Sequence, residues 1–180
     1  MAPAGQVTAS ALQAMLRDAA GTWTLDPARS AVGLRSRSVW GLAPVKGTFG
    51  EVAGTGTVTP EGQVSGTLTV AAASVDTKIA KRDAHLRSAE FFDAERHPHI
   101  AFRVDRITPS DRGVTVTGAL TVRDRTRPLT FDATVSASGG EVQLDAEVEV
   151  NRADYGMTWS PMRMASMRNT ITIHAAFTRA

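Results

Sequence analysis

The chain has 180 residues, no cysteine and a formal net charge of +2. One domain of that length buries about 70% of the surface its unfolded chain exposes and needs no covalent staple; without cysteine it has neither disulfides nor thiolate metal sites. The 17 Arg and 3 Lys are scattered rather than gathered on one stripe, which argues against a nucleic-acid partner, and no window approaches the ~20 apolar residues of a membrane-spanning helix.

The opening "MAPAGQVTASALQAMLRDAAG" lacks a basic leader followed by a continuous apolar stretch, so it reads as no secretory signal and the expected location is cytoplasmic. Residues 8–20 have helical spacing. Thr8 or Ser10 can cap the helix, Leu12, Met15 and Leu16 share one side, and Gly21 ends it. Residues 1–20 are therefore expected as a helical extension and 21–180 as the main domain.

From Trp23 the hydrophobic period becomes two. Val32/Leu34, Val64/Gly66/Leu68/Val70, Ile100/Phe102/Val104 and Val114/Val116/Gly118/Leu120/Val122 each alternate with polar residues. So do Leu129/Phe131/Ala133/Val135, Val142/Leu144/Ala146/Val148/Val150 and Ile171/Ile173/Ala175/Phe177. This is the pattern of half-buried antiparallel strands. Turn residues punctuate it at 59–63, 108–113, 122–128 and 136–140. Long strands with one apolar face and few helices to cover it are satisfied by closing on themselves. The expectation is an all-β, eight-stranded antiparallel barrel, with an immunoglobulin-like sandwich as the alternative. Eight strands enclose a space that side chains can fill or one small ligand can occupy, and the pattern leaves both open.

Residues 81–100, "KRDAHLRSAEFFDAERHPHI", hold three of the four histidines. A metal-dependent site could use His85, His97 and His99, but the His-Glu-x-x-His spacing of a zinc protease is absent and a lone His-x-His pair is unspecific. No Gly-x-Ser-x-Gly elbow is present either. The block reads better as a short helix, capped by Asp76 or Thr77 and carrying an Asp83–Arg87 pair, followed by a Phe91–Phe92 wedge across one barrel end.

The same block carries a family resemblance. "VDTKIAKRDAHLRSAEFFDAERHPHIAF", with "WTLDPARSAVGL", "VKGTFGEVAGTGTV", "VTGALTVRDRTRPLTFDATV" and "NRADYGMTW" around it, resembles the YceI-like family of lipocalin-like, polyisoprenoid-binding proteins from about Gly21 onward. The resemblance implies a lipocalin-like barrel with a long internal channel for an amphiphile such as an isoprenoid quinone, an isoprenyl phosphate or a fatty amide. Many members carry a signal sequence, whereas this chain starts with a helix. It favours a hollow lumen over a filled one. The wall residues expected from the apolar register are Val32, Leu34, Leu68, Val70, Phe102, Val104, Val116, Leu120, Phe131, Leu144, Val148, Ile171 and Ile173.

The last loop, "YGMTWSPMRMASMRNT", holds four of the six Met. Unbranched thioethers adapt to irregular apolar partners. Met157, Trp159, Met162 and Met164, with Trp40, are expected at the mouth, and Arg163 and Arg168 there could meet a phosphate or carbonyl head group. His174 is expected on the outer surface.

The leading expectation is a non-enzymatic carrier or sequestering protein with no catalytic residues, no metal and no required cofactor, holding a bound isoprenoid or other lipid. Its expected partner is a long-chain apolar small molecule, with a homodimer as one oligomeric option. The alternatives are a filled-barrel module acting through homo-oligomerisation or a protein partner, and a metal-dependent enzyme at His85, His97 and His99.

Overall fold

The computed structural model describes residues 7–38 and 43–180. Its β-segments are β1 (Gly21–Leu25), β2 (Ala31–Ser38), β3 (Ala43–Phe49), β4 (Val52–Val58), β5 (Val64–Ala71) and β6 (Val75–Asp76), then β7 (His99–Ser110), β8 (Gly113–Val122), β9 (Arg125–Ser138), β10 (Glu141–Asn151) and β11 (Arg168–Arg179). They form one sheet in the order β1-β4-β5-β7-β8-β9-β10-β11, which closes because β1 also pairs with β11. Every pairing is antiparallel. The ring has eight members, as expected, and the closing β1–β11 pair excludes the sandwich.

Several barrel staves are bent strands. The C-terminal end of β11 pairs with β1, and its earlier part pairs with β2 from Thr170 to His174. β1 and β2 are thus two halves of one stave, broken by a 3₁₀ turn at Pro27–Arg29. At this end β2 pairs with β3 and β3 with β6, extending the wall beyond the closed ring.

The alternating pattern sets the inward face. Leu144 lies opposite Ala175, Ala146 opposite Ile173, and Val148 opposite Ile171; Ile171 and Ile173 lie opposite Leu34 and Val32 on the next strand. On β8, a β-carbon at Gly118 would stand 2.0 Å from the Arg103 carbonyl oxygen and 2.7 Å from Phe102 Cζ. Glycine there lets the Phe102 ring lie across the sheet, so the missing side chain creates no void.

The helix α1 (Ala9–Asp18) closes one end of the barrel. Thr8 caps it, its hydroxyl accepting from the Ala11 N–H at 3.1 Å. Leu12 is buried against Phe102, Val114, Val116 and Ala133. At its other end Arg179 donates to the Asp18 and Ala20 carbonyls and stacks over Trp23, whose indole N–H donates to the Ala19 carbonyl. A basic group and ring donors at the last carbonyls satisfy what a helix end leaves open.

At the opposite end lies α2 (Ala80–Arg87). It forms as expected, but its fastening differs from the sequence expectation. Ile79 occupies the N-cap position without a side-chain cap. Asp83, buried, instead reaches back to accept from the Thr77 N–H at 2.8 Å and the Thr77 hydroxyl at 2.6 Å. Arg87 does not pair with Asp83; it donates to the Ala73 and Val75 carbonyls. Burial decides both cases, because a buried carboxylate needs the nearby backbone donors more than an exposed i,i+4 partner.

Candidate functional site

Between the two ends the barrel holds a cavity of about 700 Å³, inside the 300–1,000 Å³ range of small-molecule sites. Leu34, Leu68, Leu120, Val148, Ile171 and Ile173 belong to its walls, with Phe102 and Phe131 at the inner end. Those two rings lie 5.3 Å apart. Beyond them, beneath α1, a second void of about 150 Å³ is lined by Leu12, Met15, Leu16, Val104 and Leu144; Leu68 faces both spaces. One half of the barrel is therefore hollow, and the half under α1 is largely packed.

The sequence-expected wall residues divide along that line. Val32, Leu34, Leu68, Val70, Phe102, Leu120, Phe131, Val148, Ile171 and Ile173 line the large cavity. Val104 and Leu144 line the smaller void instead. Val116 is fully buried in the packed half and lines neither. All three lie on the inward face, as their register requires, but too near the α1 end to reach the large cavity.

Towards the mouth the inward positions turn polar. β2 runs Val32, Leu34, Ser36; β11, read back towards its start, runs Ile173, Ile171, Asn169; β10 runs Val148, Val150 and then, just past its end, Arg152. Arg37, Lys81 and Arg82 add positive charge at the rim. A cluster of rings roofs the opening. Trp159 stands edge-on to His85 at 4.4 Å and meets Phe91 at 5.6 Å, while His85 and Phe91 are 5.1 Å apart. His85 Nε2 pairs with the Glu90 carboxylate. Phe92 is buried and packs edge-on against Phe49.

The mouth residues fare differently. Met157 is buried on the cavity wall, and Trp159 belongs to the roof. Met162 is 86% exposed on a left-handed turn position (φ 53°) and lies off the wall. Met164 is also off the wall. Arg168 faces outward, one strand step out of register with Asn169, Ile171 and Ile173, and pairs with Glu149 at 3.4 Å. Trp40 and the side chain of Arg163 lie outside the described residues.

His85, His97 and His99 do not converge. His85 is engaged in the roof, His97 sits 3.9 Å from Asp93, and His99 is exposed at the start of β7. Among the described residues no cluster of three or more His, Cys, Asp or Glu could hold a metal ion. His174 faces outward against Asp145 at 2.6 Å.

A buried cation also reaches the cavity: Arg152, only 6% exposed. Its Nε donates to the Ser166 carbonyl at 2.9 Å and its Nη1 to the Met157 carbonyl at 2.7 Å. Its Nη2 is buried without a hydrogen-bond partner, and its Cζ sits 5.4 Å from the centre of the Phe91 ring. Burial pulls its pKa down from the ordinary value, yet a guanidinium stays charged in proteins. The sequence does carry a signal for it. Extending the period-two series Leu144, Ala146, Val148, Val150 by one further step arrives at residue 152.

The YceI-like domain model matches residues 23–178. The chain belongs to the YceI-like family. Among curated YceI-like relatives, a UPF0312 protein of Serratia proteamaculans is 34% identical over 97 residues, covering 51% of this chain and 50% of the relative. Protein YceI of Salmonella arizonae is 31% identical over 97 residues, covering 51% of each. The chain thus matches these relatives over about half their length. Among solved structures, BcnA of Burkholderia cenocepacia superposes with a TM-score of 0.77 at 22% identity, over 84% of this chain and 98% of that one. A polyisoprenoid binding domain from Saccharophagus degradans gives 0.72 at 14% identity, over 88% and 98%. At such identities these neighbours establish a shared barrel fold. No helix among the described residues is long and apolar enough to cross a membrane.

Proposed function

We propose that this YceI-like barrel is a non-enzymatic binding protein that carries or sequesters a long apolar amphiphile inside its lumen. One observation carries the reading: the large cavity is walled by aliphatic and aromatic side chains and turns polar only towards its mouth. A dry apolar space of that kind suits a hydrocarbon chain, and the polar tier suits the end of the chain that prefers water. The isoprenoid quinone, isoprenyl phosphate and fatty amide classes all fit this division. Family membership supports apolar binding in general, and the Saccharophagus neighbour is itself a polyisoprenoid binding domain. Cytoplasmic placement belongs to this proposal and is tested by fractionating the producing cells.

Transfer of hydrocarbon out of water supplies about 0.8 kcal/mol per buried CH₂, from which ordering costs subtract. Titration with isoprenoid alcohols of increasing length tests the reading. Affinity should rise with each added unit until the cavity is filled, then level off. Affinity independent of length would refute a lumenal site.

A further inference from the structure

Arg152 has a feature that holding the fold together does not explain. Its two bonds to the Met157 and Ser166 carbonyls pin the loop between β10 and β11, which is a structural task. Those acceptors are neutral, however, and leave the positive charge uncompensated. None of the ion pairs among the described residues includes Arg152. The Phe91 ring offers an attractive face, but no acceptor for an N–H. Burying a charge without an opposite charge is costly, and a buried donor without an acceptor is rare enough in proteins to require an explanation. Nη2 is also the only side-chain nitrogen or oxygen among the described residues that is buried without any partner. It belongs to a side chain on the wall of the large cavity.

Resting on the reading of the lumen as a chain-binding site, we propose that Arg152 anchors an anionic oxygen head group, so that the ligand is a single-chain amphiphile ending in a carboxylate or a phosphate. The head sits beneath the roof of Phe91, His85 and Trp159, and the chain runs inward to Phe102 and Phe131. Nη2 is buried, so the head reaches it as the Phe91 ring beside the guanidinium shifts outward within the roof. An acidic oxygen there accepts the orphaned N–H and supplies the missing opposite charge, a charge-assisted bond of the stronger kind. The exposed Arg37 and Lys81 and the half-buried Arg82 at the rim steer the same class of ligand inward, but through charges that salt screens.

Calorimetric titration of the full chain with dodecanoate, dodecyl phosphate and dodecanol tests this. It is run at about 1 M salt, where the Debye length is roughly 3 Å and the rim charges contribute little. The wild-type protein should bind both anions at least about tenfold more tightly than the alcohol. Arg152→Met should bring the three ligands within about twofold of one another; Arg152→Lys should keep part of the preference. The carboxylate and phosphate arms show which acid is preferred. Equal wild-type affinity for anions and alcohol would overturn the anchor while leaving the lumenal reading standing, as would an undiminished preference in Arg152→Met. If none of the three chains binds, the lumenal reading itself fails. Should Arg152→Met not fold, the wild-type comparison still decides.

Discussion

Phe102 and Phe131 meet with ring centroids 5.3 Å apart and planes tilted at 52°, and this contact ends the large cavity. With Leu68, which faces both spaces, the pair separates the hollow half of the barrel from the small void beneath α1. Phe131→Ala should join the two spaces and shift the plateau of the chain-length series to longer chains. Loss of a core aromatic costs about 3–5 kcal/mol, and the half-buried Phe131 should fall at the low end. Urea denaturation read beside the chain-length titration checks both effects.

Leu34 lies opposite Ile171, and both line the large cavity. Leu34→Trp puts extra volume into space the fold does not use, so little of the usual overpacking cost applies. Chain affinity should fall at least about tenfold, which is about 1.4 kcal/mol. The melting temperature should change by less than about 4 °C, the shift that 1 kcal/mol produces at this size. A large loss of stability in this variant would mean that the space around Leu34 is packed.

Asp83 holds the start of α2 to Thr77 by two hydrogen bonds and is only 7% exposed. Asp83→Ala should cost about 1–3 kcal/mol because it leaves the buried Thr77 N–H without its acceptor. Asp83→Asn, which keeps an acceptor oxygen, should cost less. Chemical denaturation of the two variants gives the order.

Glu141 and Arg29 pair across the barrel surface, and the hydrogen bond from Arg29 holds the Glu141 carboxyl below its ordinary value of 4.5. A depressed folded-state pKa stabilises fully above the unfolded value, and that contribution is lost as the pH falls through the folded value. Acidification from neutral through the carboxylate range should therefore lower the wild-type melting temperature more steeply than that of Glu141→Gln. Both groups are exposed, so the difference should be small.

Much of this architecture is legible in the sequence because the strand period reports directly on which face is inward. The series through Val148 and Val150, and through Ile171 and Ile173, puts these residues on the inner face. It does not report how far along the barrel axis a residue sits. That is why Val116 and Leu144 share a register with wall residues yet belong to the packed half. The mouth residues are less legible, since a loop has no period. Arg168 looks like a cavity cation by proximity to the Met-rich loop, but strand alternation turns it outward to Glu149. Arg152 looks like an ordinary turn residue until the β10 alternation is carried past the end of the strand. The fastening of α2 differs from its helical spacing for a related reason. Burial of Asp83 depends on the tertiary position of β6, which helical spacing does not encode.

The central claim is that the hollow half of the barrel takes up a hydrocarbon chain. Native mass spectrometry of the freshly purified protein beside Leu34→Trp is its most direct test. The account predicts a co-purifying amphiphile mass on the wild-type protein that disappears from the variant. A wild-type protein carrying no adduct, and taking none up from an added long-chain amphiphile, would contradict it.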